Sequence, residues 1–133
     1  MIENRPLMDA IHGVMNEYML SLDSVDEKTK TYWLVSDDLP LISVKDLAEN
    51  IASVRVIIDN VTEKAAKGGL SNFDFFMNIA KSCSYYSIEL EMGKYVVYSM
   101  IVHDYETMND AVEECLDVYK SYVNAQKACY PYL

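Results

Sequence analysis

The 133-residue chain is poor in the residue types that most often reveal an activity, with 2 histidines and 3 cysteines. The cysteines, Cys83, Cys115 and Cys129, are odd in number and include no CxxC pair. This pattern favours reduced thiols over a disulfide framework, and reduced thiols are typical of cytoplasmic proteins. We therefore expect a cytoplasmic protein whose cysteines act mainly as small buried hydrophobic residues.

Long hydrophobic runs are also absent. Glu3, Asp9 and Glu17 interrupt the apolar positions of the first twenty residues, so this segment lacks the continuous apolar stretch of a signal peptide. The longest apolar runs, 95–98 and 100–102, are far shorter than the about 20 residues of a membrane-spanning helix. The sequence predicts no association with a membrane.

Basic residues are scarce: 11 Lys and Arg stand against 21 Asp and Glu, which gives a net charge of −10. This sign argues against direct binding to nucleic acid or to an anionic lipid surface. The 51% hydrophobic content argues equally against disorder. We expect residues 1–133 to form a single compact domain.

Hydrophobic periodicity predicts four helices. Pro6 in a first helical turn opens one of them, and Gly68 and Gly69 end another. Ser43 with Asp46, three residues later, has the pattern of a capping box at the start of the second and longest helix. The predicted ranges are 6–22, 43–66, 71–82 and 107–127.

Two segments favour strands. Residues 31–36 are rich in β-branched and aromatic side chains, whereas the polar residues 23–30 before them predict a loop. Residues 84–103 fit either a continuing helix or a hairpin, and strict alternation around Ile88 and Leu90 favours the hairpin, with strands 84–91 and 94–103. The resulting prediction is an α+β fold, in which three to four amphipathic helices pack on a small antiparallel sheet and the chain ends in a C-terminal helix.

Residues that could support catalysis are few. His103 with Asp104, Glu106 and a distant His12 lacks any metal-ligand spacing, and no feature indicates that Cys83 or Cys115 is an activated nucleophile. Two further motifs have simpler interpretations, a helix end for Gly68-Gly69 and a solvated turn for Asp37-Asp38. We predict no catalytic residue, no metal and no cofactor, and we do not expect an enzyme.

Six acidic residues are concentrated between positions 104 and 117, with no Lys or Arg from 95 to 119. On the predicted last helix, steps of three and four place its acids on one polar face. Such a face is either solvated, with acids that complement the helix dipole, or a docking surface for a basic partner. The six residues are Asp104, Glu106, Asp110, Glu113, Glu114 and Asp117.

Tyrosine is the other excess, with 11 in the chain, and six of them crowd the hairpin and last helix. Tyrosine is favoured where one end of a side chain is buried and the other remains wet, as at interfaces and pockets. Alternation would place Tyr98 and Met100 on the hairpin face opposite to Tyr95 and Val97, leaving both faces apolar and predicting a homodimer. The interface or pocket candidates are Tyr85, Tyr95, Tyr98, Tyr105, Tyr119 and Tyr122.

A short helix, a hairpin and a capped amphipathic helix over 71–127, in a small acidic chain, resemble the dimeric chaperones of type III secretion effectors. The resemblance is one of topology and charge, with no shared motif. The predicted helix 43–66 departs from it, because that family has strands there.

These observations favour a non-catalytic interaction protein that binds or neutralises a basic partner protein, as inhibitors, immunity proteins and chaperones do. The partner would be a basic protein or a second copy of the chain. The alternative is a small-molecule binding module with a pocket lined by Tyr and Met between the hairpin and the helices. An enzyme has the least support.

Overall fold

The computed structural model describes residues 4–58, 61–83, 88–91 and 94–132. Within these ranges, four helices and six strands form an α+β arrangement that ends in the longest helix, which confirms the predicted fold class. A short 3-10 turn, Tyr105–Thr107, precedes that helix. The elements are α1 (Arg5–Tyr18), β1 (Ser21–Asp26), β2 (Thr31–Val35), β3 (Leu41–Ala48), β4 (Ile51–Ile58), α2 (Val61–Lys67), α3 (Asn72–Cys83), β5 (Ile88–Glu91), β6 (Lys94–Val102) and α4 (Met108–Cys129).

The strands form one antiparallel sheet in the order β1-β2-β3-β4-β6-β5. Helices α1 and α4 cover one face, where Leu7, Ile11 and Val112 pack against strand residues such as Val44 and Val54. A second cluster joins α3 and the end of α4 to β6. We call the opposite side of the sheet, which carries Trp33, Lys45 and Arg55, the outer face.

Helix α1 forms where it is predicted but is shorter. The Asn4 side chain accepts a hydrogen bond from the Leu7 N–H at 3.2 Å, and Pro6 occupies the first turn. The helix ends at Tyr18, because Met19 adopts a left-handed conformation with φ 55°. The chain then enters strand β1, so the predicted end at residue 22 is wrong.

The predicted helix over 43–66 is wrong. This segment forms strand β3, strand β4 and the short helix α2, and Asn50, at φ 60°, lies in the turn between the strands. Ser43 and Asp46 therefore lie in a strand and do not cap a helix. Val44 pairs with Val54 across the two strands, and β-branched residues suit this pleated surface.

The predicted loop over 23–30 is also wrong in part, since Ser21–Asp26 forms edge strand β1. All six of its residues are exposed, and a strand without a buried face shows no alternation in its sequence. The remaining predictions are confirmed by β2, α3, α4 and the described strands of the hairpin, β5 and β6. Residues 84–87 and the expected turn at Met92-Gly93 lie outside the described residues.

The predicted opposition of Tyr98 and Met100 to Tyr95 and Val97 is contradicted by the register of β6. A register shift at Val56/Ile57 makes Tyr98 pair with Val56 and Val96 pair with Ile57. Such a bulge resets the alternation of side chains along a strand. Tyr95 and Val97 belong to the second cluster, and Tyr98 and Met100 pack against the first, so all four lie with the two helix-bearing cores. The homodimer remains a prediction without this support.

Candidate functional site

An open groove runs between the end of β6 and the start of α4. It has a volume of about 330 Å³. Met100, Ile101, Val102 and Ala111 supply its apolar surface, and Ile101 is 52% exposed. The polar rim consists of His103, Asp104, Thr107, Asp110 and Glu114. We call this feature the acidic groove.

Local structure positions the rim. The Asp104 carboxylate accepts a hydrogen bond from the Glu106 N–H at 3.0 Å, which caps the 3-10 turn. Helix α4 begins directly after this turn, and Asp110 complements the positive end of its dipole. Ala111 and Cys115 face the core. Because residues four apart share a helix face, Asp110 and Glu114 then project side by side at the groove.

All six acidic residues predicted as a face are exposed. The structure brings Asp104, Asp110 and Glu114 together around the groove. Glu106 lies in the 3-10 turn, while Glu113 and Asp117 lie toward Tyr18 on α1, where their charges act on its hydroxyl.

The pKa of Tyr18 reflects the negative potential of this surface. Its hydroxyl donates to the Asn109 carbonyl at 3.3 Å. Burial raises the pKa of Tyr18, and the neighbouring carboxylates raise it further. One of them, Glu17, comes from α1 and was not among the predicted acids. The contributing residues are Glu113, Glu17, Asp110 and Asp117.

A second open groove adjoins Tyr18 between the end of α1 and the β2–β3 connection. Its volume is about 520 Å³, and Met19, Asp37 and Asp38 are among its lining residues. Both aspartates are exposed, as expected for a solvated turn. Tyr18 thus connects the acids of α4 with this acidic loop, and the negative surface is wider than the sequence indicates.

The predicted interface tyrosines lie mainly in the cores. Tyr95, Tyr105 and Tyr122 are buried, whereas Tyr98 and Tyr119 are partly exposed. Burial raises the pKa of Tyr119. Tyr85 lies outside the described residues. Core packing accounts for the three buried rings, so we do not include them in a binding surface.

The Cys115 thiol faces the interior. It is fully buried and lies 3.9 Å from the Val54 carbonyl, to which it can donate. Burial, with a smaller contribution from Glu114, raises the pKa of Cys115 to about 12. Since the thiolate is the nucleophilic form, this environment opposes a nucleophilic role for Cys115.

The described part of the chain offers little support for a metal site or a membrane-spanning helix. There, no group of three or more His, Cys, Asp or Glu side chains is arranged to hold a metal ion. No described helix has the length and hydropathy required to cross a bilayer. The chain matches no protein-family model, and no curated protein or solved structure is significantly similar to it.

Proposed function

We propose that the protein is a non-catalytic interaction protein whose acidic groove binds a basic and partly apolar segment of a partner protein. The observation that carries the proposal is the combination of an exposed apolar surface at Ile101 with a rim of three carboxylates, Asp104, Asp110 and Glu114. An apolar side chain of the partner would cover Ile101, while Lys or Arg side chains reach the rim.

The two parts of the groove would contribute differently. Exposed ion pairs each contribute about 0–1 kcal/mol, so the rim alone cannot give tight binding. Complementary charge mainly accelerates association and selects the partner. Burial of the apolar surface would supply most of the affinity, at about 25 cal/mol per Å² removed from water. We therefore expect added salt to lower the association rate constant more than it changes the dissociation rate constant.

A small-molecule binding module remains the second candidate function. The groove beside Tyr18 and Met19 combines both predicted side-chain types, and its volume of about 520 Å³ is within the range of small-molecule sites. It lies at the end of α1 and not, as expected, between the hairpin and the helices. In either case we propose a cytoplasmic protein that can act as a homodimer.

A pair of designed peptides tests the groove directly. One peptide carries alternating Lys and Leu, and its control of the same length carries Glu and Leu. Binding to the full-length protein is measured by fluorescence anisotropy at two salt concentrations, and backbone amide shifts in NMR locate the bound peptide. We expect only the basic peptide to bind and the shifts to centre on Ile101 and the start of α4.

Matched charge variants separate the groove from the net charge. The groove variant is D104N/D110N/E114Q, and the control D23N/E27Q/E63Q removes the same three charges from exposed positions on β1, the following turn and α2. The groove variant should weaken binding of the basic peptide at least about tenfold, or 1.4 kcal/mol. The control variant should change this affinity far less. Equal losses in both variants would refute the groove as the site.

A further inference from the structure

The outer face of the sheet carries a depression formed by two neighbouring cross-strand rows. In the first row Trp33 pairs with Ser43 and Ser43 pairs with Arg55. In the second, Thr31 pairs with Lys45 and Lys45 pairs with Ser53. Paired residues on one sheet face stand within about 4.5–5.5 Å of each other at Cβ. An indole, two cations and several hydroxyls are therefore held together by regular sheet geometry.

Small residues create the depression. Ser43 is 2% exposed because its larger row neighbours, Trp33 and Arg55, rise on either side of it. The resulting pocket has a volume of about 170 Å³. This volume is below the about 300–1,000 Å³ of pockets for drug-sized ligands, so the pocket suits a small ion or a terminal group. Its lining residues are Asp26, Thr29, Thr31, Trp33, Ser43, Lys45 and Arg55.

The two cations of this pocket are available for a ligand. Neither Arg55 nor Lys45 forms an ion pair with the part of the chain that the structure describes. A third cation lies nearby, since the Lys94 ammonium is 5.4 Å from the centre of the Trp33 ring. In a chain of net charge −10, this positive cluster lies on the outer face next to Ile101 of the acidic groove, which pairs with Ser53.

We propose that this pocket binds a small phosphate-bearing ligand. Arginine presents a planar fork of donors that matches two phosphate oxygens, and lysine adds a point charge. The Ser43 hydroxyl can donate to a remaining oxygen, whereas the Thr31 hydroxyl already donates to the Thr29 carbonyl at 3.4 Å. These donors outnumber the two oxygens of a carboxylate. A phosphate group has more oxygens to accept from them and is therefore the favoured ligand.

Two features define the limits of the site. Asp26 also lines the pocket, and its Oδ1 accepts hydrogen bonds from the N–H groups of Lys28 and Thr29 at 3.0 and 3.3 Å. Its charge keeps the pocket near a net charge of +1, so affinity for phosphate is moderate. The polyanionic backbone of nucleic acid remains disfavoured, because three cations cannot offset the acidic surface over several phosphates.

Trp33 reports on this pocket without labelling, because it is the one tryptophan in the sequence. Inorganic phosphate is titrated at constant ionic strength, with sodium chloride as the balancing salt, while Trp33 emission is recorded. We expect a saturable change with a Kd at or below about 1 mM. Acetate should bind at least about tenfold more weakly, a difference of 1.4 kcal/mol. No saturable response, or equal binding of acetate, would overturn the assignment.

Variants locate the bound phosphate. R55Q should raise the Kd at least about tenfold, R55K should raise it less because the charge is kept without the fork, and K127Q on α4 should leave it unchanged. The ³¹P linewidth of phosphate gives the same Kd independently of the indole, and thermal melts establish that each variant is folded. Equal weakening by R55Q and K127Q would refute the pocket. The site shares no residue with the acidic groove, so either proposal can fail alone.

Discussion

Tyr105 joins three separate segments of the fold, and its replacement by Phe should destabilise the protein. Its O–H donates to the Ala48 carbonyl at the end of β3 at 3.1 Å, and the same oxygen accepts from the Asn4 Nδ2 at 3.0 Å. Its backbone N–H donates to Asn50 Oδ1 at 3.1 Å. Tyr105 is 9% exposed, so water can replace these partners only in part. Y105F removes the two side-chain hydrogen bonds and keeps the ring and the backbone contact.

The magnitude follows from these contacts. Each intramolecular hydrogen bond contributes about 0.5–1.5 kcal/mol net, so the loss of two predicts a fall of about 1–3 kcal/mol in the free energy of unfolding. With an unfolding entropy of about 2.1 cal/mol/K per residue, the 133 residues convert this loss into a Tm decrease of about 4–11 °C.

Urea denaturation followed by circular dichroism measures the change, with the requirement that the m-value stays the same. The matched control is Y132F, because Tyr132 is 98% exposed and should tolerate loss of its hydroxyl. Ordinary surface substitutions change the free energy of unfolding by at most about 0.5 kcal/mol. A Y105F value within this range of the wild type would refute the reasoning that Tyr105 connects α1, β3 and the 3-10 turn.

Two further predictions concern the helices. Gly13 lies exposed inside α1, and a Cβ placed there would meet no atom within 4 Å. G13A should therefore raise the free energy of unfolding by about 0.5–1 kcal/mol, and a lower Tm in a thermal melt would contradict this. Cys115 has an ordinary pKa of 9.0 and a folded value of about 12, so the unfolded chain loses this proton first as the pH rises. The contribution of the protonated Cys115 thiol to the free energy of unfolding is complete below pH 9. Above pH 9 it decreases by up to about 1.4 kcal/mol per pH unit. In urea titrations between pH 8 and 11, about the range in which this thiol ionises, C115A should show a smaller decrease than the wild type, and parallel curves would refute the assignment.

The error over 43–66 shows where periodicity alone is ambiguous. Helical spacing is followed by Val44, Leu47, Ile51, Val54 and Ile58. Val44 and Val54 fit the two-residue period of a strand equally well, and each lies in a different strand. A short apolar segment can satisfy both periods, and β-branched content is then the better indicator. This segment is rich in Val and Ile, and Asn50 suits the left-handed turn between the strands. These signals were present in the sequence and favoured strands.

Local sequence patterns are sufficient to predict the amphipathic helices α1, α3 and α4, the hairpin strands and the exposure of the acidic residues. Each of these depends on a local pattern, in which one face is apolar and the other is charged. Which surfaces contact each other depends on tertiary packing. Packing of α1 beside α4 brings Glu17 to the other acids around Tyr18, and sheet register aligns Trp33, Ser43 and Arg55. Such juxtapositions join residues far apart in the chain, so no local pattern encodes them.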